Sequence, residues 1–218
     1  MKTVFAIIFI VLTFQAYSQM TNKIKLPEPC KDGGMPLMEA LAKRSSSRSF
    51  DATQTLNKQD LSNLLWCANG FNRKLEKRTA PSALNMQEID VYVFLDSGIY
   101  LWNPRVNVLN MIKKGDYREK TGKQDYVQEA AVNLVYVSDY SKMDKLPDDN
   151  VKLIMTTANC GHISQNVYLY AASKNLGAVV RGAFDGKVIS ELLNLTGSQH
   201  VVLCQSVGPK SEETSPGS

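Results

Sequence analysis

The stretch N159-CGHISQNVYLYAASKNLGAVVRGAF-D185 decides the architecture. It opens inside a long helical pattern, breaks at Asn175-Leu176-Gly177, and continues as a β-branched run, GAVVRGAF. Asp185 then starts DGKVISELLNL, which has helical spacing, and HVVLCQSVG closes the series as a strand. The helical pattern extends back to about residue 149. One stripe carries Ala158, Gly161, Gln165, Tyr168 and Ala172; another carries Ile163, Val167 and Tyr170. Small and apolar residues on two faces predict a helix covered on both sides, either central or at a dimer seam.

Working outward, EIDVYVFL reads as a buried strand, and IYLWN as its hairpin partner after the DSG turn. AVNLVYVSD is another strand. Residues 105–130 are expected to hold a short helix and a basic loop, KKGDYREKTGK. Near the start, Pro36 opens a helix with Leu37, Met38, Leu41 and Ala42 on one face. LNKQDLSNLLWCANG is a second helix, capped by Asn57 and stopped by Gly70. Strands joined by both hairpins and helices predict an α+β fold: a mostly antiparallel central sheet flanked by helices.

The chain has 218 residues and a formal charge of +4, enough for one domain with a sizeable core. That mild excess lacks the clustering of a nucleic-acid binder. The basic run at 113–123 reads as a solvated loop. Residues 1–18, with Lys2, an apolar run and a small-residue exit at Ala16 and Ser18, read as a secretory signal peptide. Its removal takes one lysine and no acid, leaving about +3. The expectation is an exported protein, periplasmic or secreted in a bacterium, with no stable membrane anchor. Residues 19–35 read as a tail or linker, 36–210 as the domain, and 211–218 as a disordered tail.

Cys30, Cys67, Cys160 and Cys204 are widely spaced, with no CxxC pair. Packing is their expected role, one disulfide remaining open, and no metal site is expected. Neither His162 nor His200 reads as catalytic. No Ser/His/Asp set, paired carboxylates or phosphate-binding Walker loop is present.

The chemistry concentrates in KRSSSRSF, residues 43–50. Arginine forks match phosphate oxygens, and serine hydroxyls add short donors, so the run can grip a monophosphate. Alone it reads first as a solvated basic loop. Its neighbours extend the pattern: RTAPSALNMQ supplies Pro81, Ser82, Asn85 and Gln87; the long helix supplies Gly161, Gln165 and Asn166; then come Leu176, Gly177 and Gly182, and finally CQSVGPK.

In this order the motifs resemble the FMN-dependent nitroreductase family over about residues 36–210. Two departures stand out. Ser45 replaces the second arginine of the family's opening motif, and Glu88-Ile89 replaces the Pro-Trp that usually follows Gln87. The resemblance is nearest to the group containing the azoline-forming peptide oxidases of SagB type.

The resemblance implies FMN as cofactor and an intertwined homodimer with FMN at the interface. It implies ping-pong hydride transfer from NAD(P)H to a small electrophilic acceptor such as a nitroaromatic or quinone, with no protein residue assigned as acid or base. Arg44, Ser45, Ser46 and Arg48 would hold the phosphate, with Lys210 as a second cation. Pro81, Ser82 and Asn85 would flank the cofactor, Asn85 bonding it or simply forming a turn. Gln165 would touch the cofactor or pair within the helix stack. Val180, Arg181 and Gly182 would run along the ring, Arg181 bringing charge toward it or pairing at the surface.

Two rivals remain. One is azoline dehydrogenation, although the lysine–tyrosine pair of those oxidases is matched only by Lys152, with no adjacent tyrosine. The other is a non-catalytic, secreted flavin-binding protein.

Overall fold

The computed structural model describes residues 22–211. The expected signal peptide and most of the C-terminal tail lie outside that range. Among the described residues, no helix is long and apolar enough to cross a membrane.

The VYVF run of the EIDVYVFL segment alternates between two cores. In β4 (Ile89–Leu95), Val91 and Val93 face one apolar cluster, Tyr92 and Phe94 the other. β7 (Val132–Asp139) repeats the pattern: Val132, Leu134 and Tyr136 point one way, Val135 and Val137 the other. Successive strand side chains point to opposite faces, so a strand covered on both faces reads as a continuous apolar run. With β1 (Lys23–Lys25), β5 (Gly98–Asn103), β6 (Val108–Lys114), β8 (Leu176–Arg181) and β9 (Gln199–Pro209), they form a seven-stranded sheet. The order is β1-β6-β5-β4-β7-β9-β8, and every pairing is antiparallel. A separate two-stranded hairpin pairs β2 (Phe71–Arg73) with β3 (Lys77–Arg78).

The first core packs α2 (Lys58–Asn69) and the 25-residue α3 (Asp149–Ser173) on the sheet; the second packs α4 (Gly186–Leu193) on the other side. The helix starts follow from side-chain caps. Asn57 accepts from the Asp60 amide, Asp148 from the Asn150 and Val151 amides, and Asp185 from the Lys187 and Val188 amides. The expected α+β architecture and its long helix are therefore present.

Two local expectations need correction. Residues 108–114, read within a helix-and-loop segment, form β6, because Leu109 is buried in the first core and the strand is paired between β5 and β1. Residues 22–35, read as a tail, supply β1 and bury Leu26 at 2% exposure. The helix expected after Pro36 forms as α1 (Leu37–Lys43); of its residues only Ala40 is covered, and Met38 is 76% exposed. In α3, as expected for a helix with two apolar faces, the Ile163–Val167–Tyr170 stripe is buried against sheet and α2, while Ala158, Gly161 and Gln165 of the other stripe are exposed in the single chain.

The buried face of α3 is tied to the sheet at successive turns. Thr156 Oγ1 lies 3.0 Å from Ser138 Oγ, Asn159 Nδ2 donates to Glu88 Oε1 at 2.7 Å, and Gln205 Nε2 donates to the Ser164 carbonyl at 3.1 Å. These directional bonds set the register of helix on sheet, which apolar packing alone leaves loose.

Candidate functional site

Arg44 ends α1 with ψ 120°, outside the helical range, and the chain runs on without regular structure to Phe50. That run lies along β8: the Ser47 amide donates to the Ala178 carbonyl at 2.9 Å, and the Asp51 amide to the Pro209 carbonyl at 3.0 Å. Phe50 anchors it, buried to 4% against Gly177 and Gly208, which face each other across β8 and β9. A Cβ on Gly177 would stand 3.1 Å from the Phe50 ring, and one on Gly208 would stand 2.8 Å from the Ala131 amide. The two glycines thus make room for the aromatic that closes KRSSSRSF and for the neighbouring backbone.

The centre of the cluster is Tyr168, which sequence reasoning placed only as one member of a stripe. The Val180 amide donates to Tyr168 Oη at 2.8 Å, and Ser46 Oγ shares a hydrogen bond with the same hydroxyl at 3.0 Å. Either hydroxyl can donate in that pair, so Ser46 can turn its own proton to a further acceptor. The Arg44 guanidinium lies 5.6 Å from the centre of the same ring. Ser45 and Lys210 line a cavity of about 170 Å³ with Tyr168, Lys43 and Asn175. Arg48 is exposed on the same run. Among the described residues, Arg44, Arg48 and Lys210 have no carboxylate within 4 Å. Uncompensated cations beside oriented hydroxyl donors are what a phosphate needs.

Pro81, Ser82 and Asn85 lie apart from this cluster. Ser82 Oγ accepts from the Gln87 amide at 3.1 Å, and Asn85 Oδ1 from Gln87 Nε2 at 3.1 Å. Leu84, Asn85 and Gln87 all have left-handed backbone (φ 50°, 57° and 53°). Such a conformation costs a non-glycine residue roughly 1–2 kcal/mol, and persists where surroundings over-determine it. Here the surroundings include Glu88, fully buried, whose Oε1 takes the Asn159 amide of α3 and whose Oε2 has no partner among the described residues. A small cavity lined by Pro81, Ser82, Glu88, Asn159 and Ile163 joins this corner to α3. From Asn159 to Tyr168 the helix rises roughly 13 Å, so one helix carries both clusters.

Gln165 is exposed on α3, and Gly182 is exposed at the end of β8, where a Cβ would meet no atom within 4 Å. Arg181 corrects one of the two readings offered for it, the surface ion pair. It is neither at the surface nor ion-paired: at 6% exposure it donates to Ser206 Oγ, Asn133 Oδ1 and both oxygens of Thr121. It pins the 121–133 loop to the sheet, and burial lowers its pKa.

All four cysteines are free. Burial pushes the Cys67 thiol up to about 11 and Cys204 to about 12, and Cys160 is also raised, so none of the three is an activated nucleophile. Among the described residues, no group of three or more His, Cys, Asp or Glu is placed to hold a metal.

Comparison with known proteins gives this geometry a context. A protein of Methanocaldococcus jannaschii described as a nitroreductase is 28% identical over 202 residues, spanning 88% of this chain and 98% of its own length. A crystal structure from Ralstonia eutropha, also described as a nitroreductase, is 40% identical with a TM-score of 0.82, covering 87% of this chain and 90% of that one. The same fold occurs in the E. coli microcin synthetase complex McbBCD with truncated pro-MccB17 bound (16% identity, TM-score 0.66, 87% of this chain and 79% of that one). The model of the nitroreductase family matches residues 41–209, spanning both the phosphate-type cluster and the Pro81–Gln87 corner. With its fold and motif order in agreement, the chain belongs to the nitroreductase family, whose members are oxidoreductases and generally flavin-dependent.

Proposed function

We propose that this protein is an exported FMN-dependent oxidoreductase that takes hydride from NAD(P)H and delivers it to an electrophilic acceptor such as a nitroaromatic or quinone. The observation that carries the reading is the Tyr168 cluster: Arg44 over its ring, Ser46 on its hydroxyl, and Ser45 and Lys210 in the adjoining cavity. These residues fit a phosphate monoester, with Arg48 as a further cation. The open side of Gly182 suits close approach of a flat ring to the backbone.

Bound FMN would supply the two-electron chemistry itself. The chain's part is to bind and orient. Arg44, Arg48 and Lys210 balance phosphate charge, Ser45 and Ser46 donate, Val180 holds Tyr168 in place, and Val180 to Gly182 offer backbone beside the ring. Pro81, Ser82, Asn85 and Gln165 are the proposed further contacts.

A homodimer completes the proposal. Leu37 and Met38 of α1 and Leu153 and Ile154 of α3 are exposed, as is the Ala158–Gly161–Gln165 stripe of α3. Unpartnered apolar residues on two helices suit burial against a second copy. Light scattering giving twice the monomer mass is the expected result.

The deciding experiment is the visible spectrum of purified protein after FMN is added and the excess removed, then under anaerobic NADH or NADPH. A retained flavin spectrum that bleaches is expected. Well-folded protein that does not hold FMN would remove the cofactor assignment, and retained flavin that no donor bleaches would favour a binding protein.

One observation favours a second reading, azoline dehydrogenation. No tyrosine adjoins Lys152 in sequence, yet its Nζ lies 5.6 Å from the centre of the Tyr140 ring. Incubating FMN-loaded protein with an azoline peptide would test it; loss of two hydrogens from the peptide mass supports that reading.

A further inference from the structure

A second cation cluster is left over once the phosphate grip is accounted for. The β2–β3 hairpin turns through Leu75 and Glu76, both left-handed (φ 61° and 55°), and carries Arg73, Lys74, Lys77 and Arg78 around an open hollow of about 590 Å³. Ser82 and Asn85 line the same hollow. The one acid of the hairpin, Glu76, is engaged through both oxygens by Arg105. Among the described residues, none of the four hollow cations has a carboxylate within 4 Å.

Arg78 is fixed in place. Its Nε donates to Gln87 Oε1 at 2.8 Å, its Nη1 to the Asn69 carbonyl at 2.7 Å, and its guanidinium sits 4.5 Å from the centre of the Phe71 ring. Burial lowers its pKa, so holding it there costs solvation free energy. Among the described residues, the Lys74 and Lys77 ammonium groups have no carboxylate within 4 Å, which leaves both to meet an anion from outside.

FMN carries one phosphate. The cavity beside Tyr168 and this hollow share no lining residue, so the same phosphate does not serve both. A clustered, unneutralised set of cations raises the local concentration of anions, and arginine selects phosphate oxygens among them. The anion that the proposed reaction brings, besides the cofactor, is the hydride donor. Ser82 and Asn85 belong to both the hollow and the proposed cofactor surface, so a molecule held here would reach the reacting ring.

We infer that the hairpin hollow seats the phosphates of the dihydronicotinamide dinucleotide, with Lys74 and Lys77 as its mobile cations and Arg78 as its fixed one; this rests on the reductase reading above. The site discriminates by charge, so a donor without phosphates gains nothing from it.

The test uses FMN-loaded full-length protein, and Lys74→Ala combined with Lys77→Ala, both on the hairpin. Two donors are compared under anaerobic conditions: NADPH and the phosphate-free 1-benzyl-1,4-dihydronicotinamide. The ratio of their kcat/KM values is expected to fall about tenfold in the variant. Calorimetric titration with inorganic pyrophosphate should weaken by a similar factor. In wild-type protein, added salt should lower the NADPH efficiency selectively, a measurement that does not depend on the variant folding.

An unchanged donor ratio, unchanged pyrophosphate binding, or equal salt sensitivity of the two donors would overturn the assignment. If neither donor bleaches the wild-type flavin, the reductase reading itself has failed and takes this one with it.

Discussion

Two cation-rich regions lie near the long helix, and they are built in opposite ways. Around Tyr168 the polar groups are already wired: Val180 to Tyr168, Tyr168 to Ser46, Arg44 over the ring. No residue of the 43–50 run has left-handed backbone, and Phe50 locks the run onto two glycines. Around Pro81–Gln87 the backbone is left-handed at three non-glycine residues, and the lysines of the adjoining hairpin point out without partners. The first region is organised for a ligand that stays. The second has the character of one that receives a visitor. Preorganisation reduces the ordering cost of binding, so the grip should give tight retention and the corner weaker, charge-dependent contact.

The largest expected effect breaks the grip. Arg44→Ala with Arg48→Ala removes two charge-assisted contacts worth about 1.5–3 kcal/mol each. FMN affinity, measured by flavin fluorescence quenching, should fall by at least about 100-fold. A smaller loss would mean that Lys210 and the serines carry the phosphate. Asn159→Leu next attacks the tie between corner and helix. It strands Glu88, fully buried, without its remaining partner, and should cost about 2–4 kcal/mol in urea unfolding.

Tyr168→Phe sharpens the comparison at smaller scale. It deletes the hydroxyl that orients Ser46, at a cost of about 1–1.5 kcal/mol. FMN should bind about tenfold more weakly, while riboflavin, which has no phosphate, should be unaffected. Equal losses for both would make Tyr168 a packing residue and nothing more. The smallest effect relieves the corner. Leu84→Gly, at a position 65% exposed with φ 50°, should raise the unfolding free energy by up to about 1 kcal/mol. A loss of stability would mean that the strain is offset by a contact Leu84 makes elsewhere.

How much of this was legible from the chain depends on where each residue's partners lie. β4 and β7 were readable because burial on both faces writes an unbroken apolar run, and α2 because Asn57 and Gly70 mark its ends. β6 was not, since only Leu109 is fully buried along its length and its last three residues are exposed. β1 is three residues with two exposed lysines, below what any periodicity can register. The order of the family motifs located both clusters, yet the link between them was invisible. Ser46 and Tyr168 meet across 122 positions, so the tyrosine's role is set by the fold and not by its neighbours. Arg181 failed for the same reason. An arginine at a strand end looks available to solvent until Thr121, Asn133 and Ser206 are seen to enclose it. Glu88 was noticed only as a departure from a pattern; its burial is what gives the departure consequence.

The run at 44–50 has a second consequence, one of solubility. β8 is an outer strand of the sheet, and an outer strand with unpaired backbone invites addition of a strand from another molecule. At the opposite margin, β1 screens β6 with two lysines. At this margin, the screen is the serine run itself, through the Ser47 amide on Ala178. The segment proposed to grip the phosphate therefore also guards against self-association. Any condition that empties and loosens that grip would uncover a template for aggregation, tying the lifetime of the soluble protein to its ligand.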